Sequence, residues 1–297
     1  MKPMPRIAGL VGSLMACALT ALVVAGPALA HKGEFAKFNY CPSSNSKVEK
    51  CLYSVTTGGK VVLGKKTVPI VNPVTLQGGI SAPEEEPNEQ YVSRFFGATN
   101  GETLSKTPQP VPGGLSGLVN CKEISLGWLR ASCEALFENG LTGVDATLEL
   151  ARPASEIRVS ELNILFAEGV ALRLPVRVHL ENPLLGSSCY VGSSSSPLIW
   201  DLTAGTTSPP SPNTPISGRT GEIEPREGGL IAHLKNNELV ENAWSAPGAT
   251  GCGGFLVEYI LNPIINASVG LPSAAGKNTS ILKNEIDTSP ASVVNEH

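Results

Sequence analysis

The sequence predicts a mainly β protein: an antiparallel β-sandwich-like core carrying one small helical insert over about 115–138. Three observations carry that prediction. Short runs of β-branched residues are separated by glycine and proline, which together make up about 18 per cent of residues 31–297 against roughly 12 per cent in average proteins. Apolar residues recur with a period of two in the second half of the chain, and a helical period appears with strength only once. Six cysteines, too many for a cytoplasmic chain without a metal motif, stand downstream of an export leader.

That leader comes first. Lys2 and Arg6 form a basic n-region, residues 7–24 an apolar h-region, and Ala28-Leu29-Ala30 the small-x-small site of a signal peptidase. Cleavage is expected after Ala30, leaving 31–297 as a single disulfide-bonded β-rich domain with three parts: an N-terminal β segment (31–110), the helical insert (111–140) and a C-terminal sheet (141–297). Acylation at Cys17 is disfavoured because the apolar run continues beyond it.

Within the first part, residues 51–56 and 60–63 read as strands joined by a tight Gly58-Gly59 turn, followed by strands at 67–71 and 73–76. SAPEEEPN (81–88) reads as a solvated acidic loop, and 99–114 as a second loop rich in Pro, Gly and Thr. In the insert, Leu126, Leu129, Cys133, Leu136 and Phe137 fall on one helical face, and Asn139-Gly140 is a fitting stop. The period of two then returns at 144–150 and 157–166. It is clearest at 171–181 (ALRLPVRVHLE), where Leu172, Leu174, Val176, Val178 and Leu180 point one way and Arg173, Pro175, Arg177, His179 and Glu181 the other. Pro175 lacks a backbone donor, which suggests an edge strand or a bulge. Further on, 230–235 and 238–244 read as a hairpin about Asn236-Asn237, 255–260 as a strand or short helix, and 267–271 and 279–286 as closing strands.

Composition excludes several functions. Without the leader the chain holds 20 basic and 26 acidic side chains, a net charge of about −6, and its only basic run, Lys60 to Lys66, has three lysines; a nucleic-acid partner is not expected. No apolar stretch after the leader is long enough to span a bilayer as a helix. The six cysteines permit fifteen pairings. Neighbour pairing is the working expectation: Cys41 with Cys51, Cys121 with Cys133, and Cys189 with Cys252. The two short loops would each contribute about 3 kcal/mol and the long one roughly 4 in the chain-entropy account. No CxxC pair suggests a metal site, and no cofactor is expected.

Catalytic signatures are scarce. GxSxG, HExxH and GxxxxGK do not occur, and His179 and His233 are the only histidines away from the ends of the mature chain. No catalytic residue is assigned. The one cluster worth following is His179 with Arg173 and Arg177 beside Glu181, a candidate anion-binding or acid–base patch on the wet face of its strand. Trp128, Trp200 and Trp244 read as packing residues, and the sequons at Asn266 and Asn278 as chance matches.

The stretch NPLLGSSCYVGS from Asn182, GATGCGG from Gly248 and GLPSAAGKN from Gly270, with FNYCP at Phe38's neighbourhood and TVPIVNPVTLQGG from Thr67, resembles secreted proteins of actinobacteria that carry no assigned function. The resemblance implies an extracellular protein and supplies no chemistry. The leading expectation is a secreted non-catalytic protein, envelope-associated or extracellular, that binds an unidentified envelope component or ligand. The rival is a secreted hydrolase using paired carboxylates or a histidine-assisted site. A third reading, a cavity holding a lipid, follows from the dry face at Leu172 to Leu180 and fails if side chains fill the interior.

Overall fold

The computed structural model describes residues 30–86 and 90–297; the leader, Cys17 and most of the cleavage site lie outside them. Strands β1 (Lys50–Leu63), β2 (Lys66–Pro69), β3 (Val74–Ile80), β4 (Glu84–Glu86), β5 (Gln90–Gly97) and β6 (Pro108–Pro110) precede helix α1 (Gly127–Glu138). Next come β7 (Asp145–Leu150), β8 (Arg158–Val159), helix α2 (Glu161–Phe166), β9 (Leu172–Glu181), β10 (Tyr190–Val191) and β11 (Leu198–Leu202). Strands β12 (Glu222–Arg226), β13 (Ile231–Glu241) and β14 (Ala249–Thr250), helix α3 (Glu258–Val269), β15 (Thr279–Pro290) and helix α4 (Ala291–Val294) follow.

All strand pairings are antiparallel, and they form two layers. One layer runs β12-β13-β15-β1-β3, with β2 on the far half of β1; the other gathers β7, β8, β10 and β11 around β9. Along one side β5 belongs to both, pairing Ile80 with Phe95 in the first layer and Ser93 with Val159 in the second. Along the other side Thr203, just past β11, and Val240 of β13 exchange two backbone hydrogen bonds of 2.9 Å. The sandwich is therefore closed on both flanks, which removes two edges that would otherwise be free to pair with other chains.

Two of the expected hairpins are instead β-bulges. Gly58-Gly59 does not turn the chain: β1 runs unbroken for 14 residues, and its pairing with β15 slips by one residue between Thr56 and Gly58. Asn236-Asn237 behaves likewise, with β13 continuous and its register against β15 slipping between Leu234 and Asn237. The residues were read correctly as tolerant of positive φ, since Gly59 has φ 110° and Asn236 φ 57°. That freedom inserts an extra residue rather than reversing direction, because β15 offers a straight partner on which both halves can pair.

Each bulge resets the alternation of side chains. On β1, Leu52, Ser54 and Thr56 face the interior, and beyond the bulge so do Val61 and Leu63, which an uninterrupted strand would turn outward. Both bulges lie opposite the same residue, Asn284 of β15. Its amide oxygen accepts from the Thr56 hydroxyl at 2.7 Å, and its amide nitrogen donates to Leu282 O at 3.2 Å and to the Asn237 side-chain oxygen at 3.4 Å.

Strand β9 alternates as expected, but Pro175 does not mark an edge or a bulge. Pro175 is buried and paired with Ile199, and its carbonyl accepts Ala151 N at 3.0 Å on the flank where pairing passes from β8 to β7. The missing donor falls in that gap, so a proline fits a central strand. Residues 157–166 give only two strand residues before Ser160 caps α2 by accepting Asn163 N at 3.3 Å. Residues 258–269 are the helix α3, whose start follows the helical alternative for 255–260 and whose last turn replaces the strand expected from 267; Leu261, Ile265 and Val269 share its buried face. Of the helical insert, only α1 is regular helix, and it is preceded by short 3-10 turns at Gly114–Gly117 and Cys121–Glu123.

The disulfides are Cys41–Cys51, Cys121–Cys133 and Cys189–Cys252. The first ties the segment after the N-terminal 3-10 helix (Gly33–Phe38) to β1, where Phe35, Phe38, Ile231 and Val294 form a second, smaller apolar cluster. The third joins the start of β10 to the loop leading into α3. No helix among the described residues is long and apolar enough to cross a membrane.

The bulge makes a contrast between neighbouring glycines testable. A Cβ on Gly59 would run into the Ile281 carbonyl at a left-handed φ, whereas one on Gly58 meets only Lys283 Cδ at 3.8 Å. Gly59→Ala should lower unfolding stability by about 2 kcal/mol or more, and Gly58→Ala by less than about 1, as read from urea denaturation. Equal losses would show that the bulge does not constrain the strand.

Candidate ligand-binding cavity

Between the layers the side chains do not meet completely. A cavity of about 130 Å³ remains, with 24 apolar residues among the 30 that line it. Its walls are the inward rows just described. Leu172, Leu174, Val178 and Leu180 come from β9, Leu148 from β7 and Trp200 from β11; facing them stand Leu52, Val61 and Leu63 of β1 with Leu282 and Ile286 of β15. Val61, Val68, Leu148 and Leu172 point inward yet are only half-buried, because the space in front of them is open to a water-sized molecule. An engineered apolar cavity of about 150 Å³ stays dry and admits benzene, which sets the scale of what this one holds.

The polar lining is small and mostly satisfied. Thr56 and Asn284 bond to one another. Gln109, buried on β6, accepts Val71 N at 2.9 Å and Asn72 N at 3.0 Å, and donates to Asn72 O at 2.8 Å and Thr107 O at 3.3 Å. These bonds have an architectural role. β2 pairs only with β1 and β6 only with β7, so the wall between β2 and β6 is held by this side chain and by the Asn72 amide, which donates to Pro108 O at 2.7 Å, instead of by a ladder.

The sequence-predicted patch lies on the opposite, outer face of β9, and the structure divides it. Arg177 and His179 come together: Arg177 stacks 4.3 Å above the Tyr190 ring, and His179 stacks on the same ring with centroids 4.4 Å apart. Arg173 is elsewhere, beside Asp201 at 3.6 Å. The residue that organises the patch is Glu149 of β7, which sequence reading missed. It is buried, directly opposite Arg177, and one of its oxygens accepts two Arg177 N–H bonds at 2.6 and 3.0 Å. Glu181 lies 3.3 Å from His179 Nδ1, so the Arg177 guanidinium and the imidazole of this patch both have carboxylate partners already. The only signal for Glu149 was the alternation of its own strand, and register against β9 is not readable from one sequence.

The second histidine, His233, is buried with Nδ1 2.9 Å from Asp287, which also receives Lys37 at 3.1 Å. Among the described residues no hydroxyl or thiol is hydrogen-bonded to either imidazole, and no group of three metal-ligating side chains converges. Two carboxyls that hold their protons more tightly than usual flank the Thr203–Val240 seam. Burial pushes Asp201 up, against the opposing pull of Arg173. Burial likewise raises Glu241, and the nearby Asp201 charge adds to it while the Ala243 and Asn242 amides oppose.

With this geometry in view, comparison with known proteins adds no relative: no family model, no curated protein and no solved structure matches the chain. The reading of the cavity rests on its own chemistry.

The two raised carboxyls give the seam a pH dependence of definite sign. Each holds its proton more tightly in the folded than in the unfolded chain, so folding takes up protons just above the ordinary carboxylate range. Stability should rise as pH falls through that range and decline as pH climbs through the raised folded values. Thermal melts at about pH 5 and at neutrality should show this rise, and Asp201→Asn combined with Glu241→Gln should diminish it. An unaltered pH slope in the double variant would refute the assignment.

Proposed function

We propose that the protein is a secreted, non-catalytic binding protein that holds a small apolar molecule, or the apolar end of a larger one, between its two sheets. The observation that carries this reading is the cavity: a closed β sandwich whose interior rows are aimed at open space, walled by aliphatic side chains and Trp200. An unfilled core of this size costs stability, since each unpartnered wall atom forgoes dispersion contacts, and a ligand restores them. Export is supported by the leader sequence and by three disulfides, which form and persist outside reducing compartments. The turn and cysteine stretches similar to secreted actinobacterial proteins point to the cell envelope or its surroundings as the place of work.

The test uses a neutral single-ring ligand, toluene, titrated into the oxidised protein spanning 31–297 and followed by calorimetry. Binding should saturate below millimolar concentration and alter the emission of Trp200 in the cavity wall. Ala146 lines the cavity and is small, so Ala146→Phe should fill it and reduce toluene binding at least tenfold while near-ultraviolet circular dichroism is retained. No saturable binding, or equal binding by a folded Ala146→Phe variant, would overturn the proposal.

A further inference from the structure

One residue in the cavity wall breaks its chemistry. The inward row of β2 is Lys66, Val68, Ile70, and Lys66 is the only charged side chain among the 30 that line the space. It is half-buried, and among the described residues its ammonium makes no ion pair and no hydrogen bond. Its neighbour Lys65 differs: it points outward and donates to Ala267 O at the end of α3 at 3.2 Å. A cation facing an apolar interior without a counter-ion is unfavourable unless it reaches water or an anion.

The position of Lys66 shows where that anion would sit. The β2 strand runs antiparallel to the segment 109–117, with the Gln109 clasp at one end. At the other end Lys66 Nζ stands 3.4 Å from where a Cβ on Gly117 would be, in a 3-10 turn that is itself partly exposed. The ammonium therefore lies at the rim of the cavity, where the β2 seam meets solvent. Its stem contributes to the apolar wall and its charge faces outward along the seam.

Resting on the apolar-ligand reading above, we infer that the ligand is a short-chain or single-ring amphiphile with an anionic head, its apolar part in the cavity and its carboxylate or phosphate paired with Lys66 at the β2 rim. The lining matches such a molecule in order: one cation at the rim, aliphatic walls behind it, and no acidic residue anywhere in the lining to repel the head. A charge-assisted hydrogen bond of this kind is strong enough to select among ligands sharing one apolar tail.

Four ligands with the same tail and different heads decide it: octanoate, octyl phosphate, octanol and octylammonium, each titrated by calorimetry in competition with toluene. Octanoate, octyl phosphate or both should bind about tenfold tighter than octylammonium, and the ratio of the first two distinguishes a carboxylate ligand from a phosphate one. Lys66→Met keeps the apolar stem and should reduce anion affinity about tenfold while leaving octanol unchanged; Lys66→Arg should retain the preference. If all four heads bind equally and Lys66→Met changes nothing, the cavity is real and the head-group assignment is wrong, leaving Lys66 as a charge that guards the edge strand β2 against pairing with other chains. If neither toluene nor any of the four ligands binds, the apolar-ligand reading has failed first. Melting curves of each variant separate a lost contact from a lost fold.

Discussion

Asn284 sits where the two long strands beside it each take in one residue too many. Its amide spans both irregularities, accepting from Thr56 on one side and donating to Asn237 on the other. Removed from water at 5 per cent exposure, this amide has strong reason to keep both partners, since an orphaned buried donor or acceptor costs more than a made bond gains. Everything around the cavity depends on that fixed point. With β1 and β13 each slipped by one residue at Asn284, the far half of β1 presents Val61 and Leu63 inward, and β13 presents Leu239. A slip elsewhere would turn those side chains to solvent and their polar neighbours to the interior.

The layers also divide their charges. On the outer face of β9, Arg177 and Glu149 neutralise one another with His179 and Glu181 beside them, and Lys37 and Asp287 do so beside His233 under the N-terminal segment. Such networks fix register and hold polar groups in partly dry places, but they leave little free charge for a ligand. The cavity lining is the reverse, with no charge but that of Lys66 at its rim.

Much of this was legible in the chain, and the gaps have physical causes. The alternation of 171–181 revealed a dry row that the structure places on the cavity wall, and the spacing of the cysteines suggested local staples of the kind observed. The fold class followed from turn frequency and β-branched runs. What failed was the distinction between turn and bulge at Gly58-Gly59 and Asn236-Asn237, because both use the same left-handed backbone and only the partner strand, more than 40 residues away in sequence, decides between them. The full length of helix α3, beyond the short helix that 255–260 allowed, was hidden by Pro263 and by isoleucines and valine that favour strands locally; burial of Leu261, Ile265 and Val269 overrides that preference. The cavity itself needs two walls brought together by the whole topology, so one wall could be read and the space in front of it could not.

The Gln109 clasp has a kinetic meaning. Elsewhere the walls are stitched by backbone ladders, and parting them would require strands to separate in a cooperative opening of the sheet. Between β2 and β6 the stitch is two side-chain amides, Gln109 and Asn72, whose release asks for rotamer changes and leaves Val71 and Asn72, both exposed, to bond with water. For a ligand of the kind proposed, this seam is a way in that parts no backbone ladder, with all three disulfides and the ring of strands left intact.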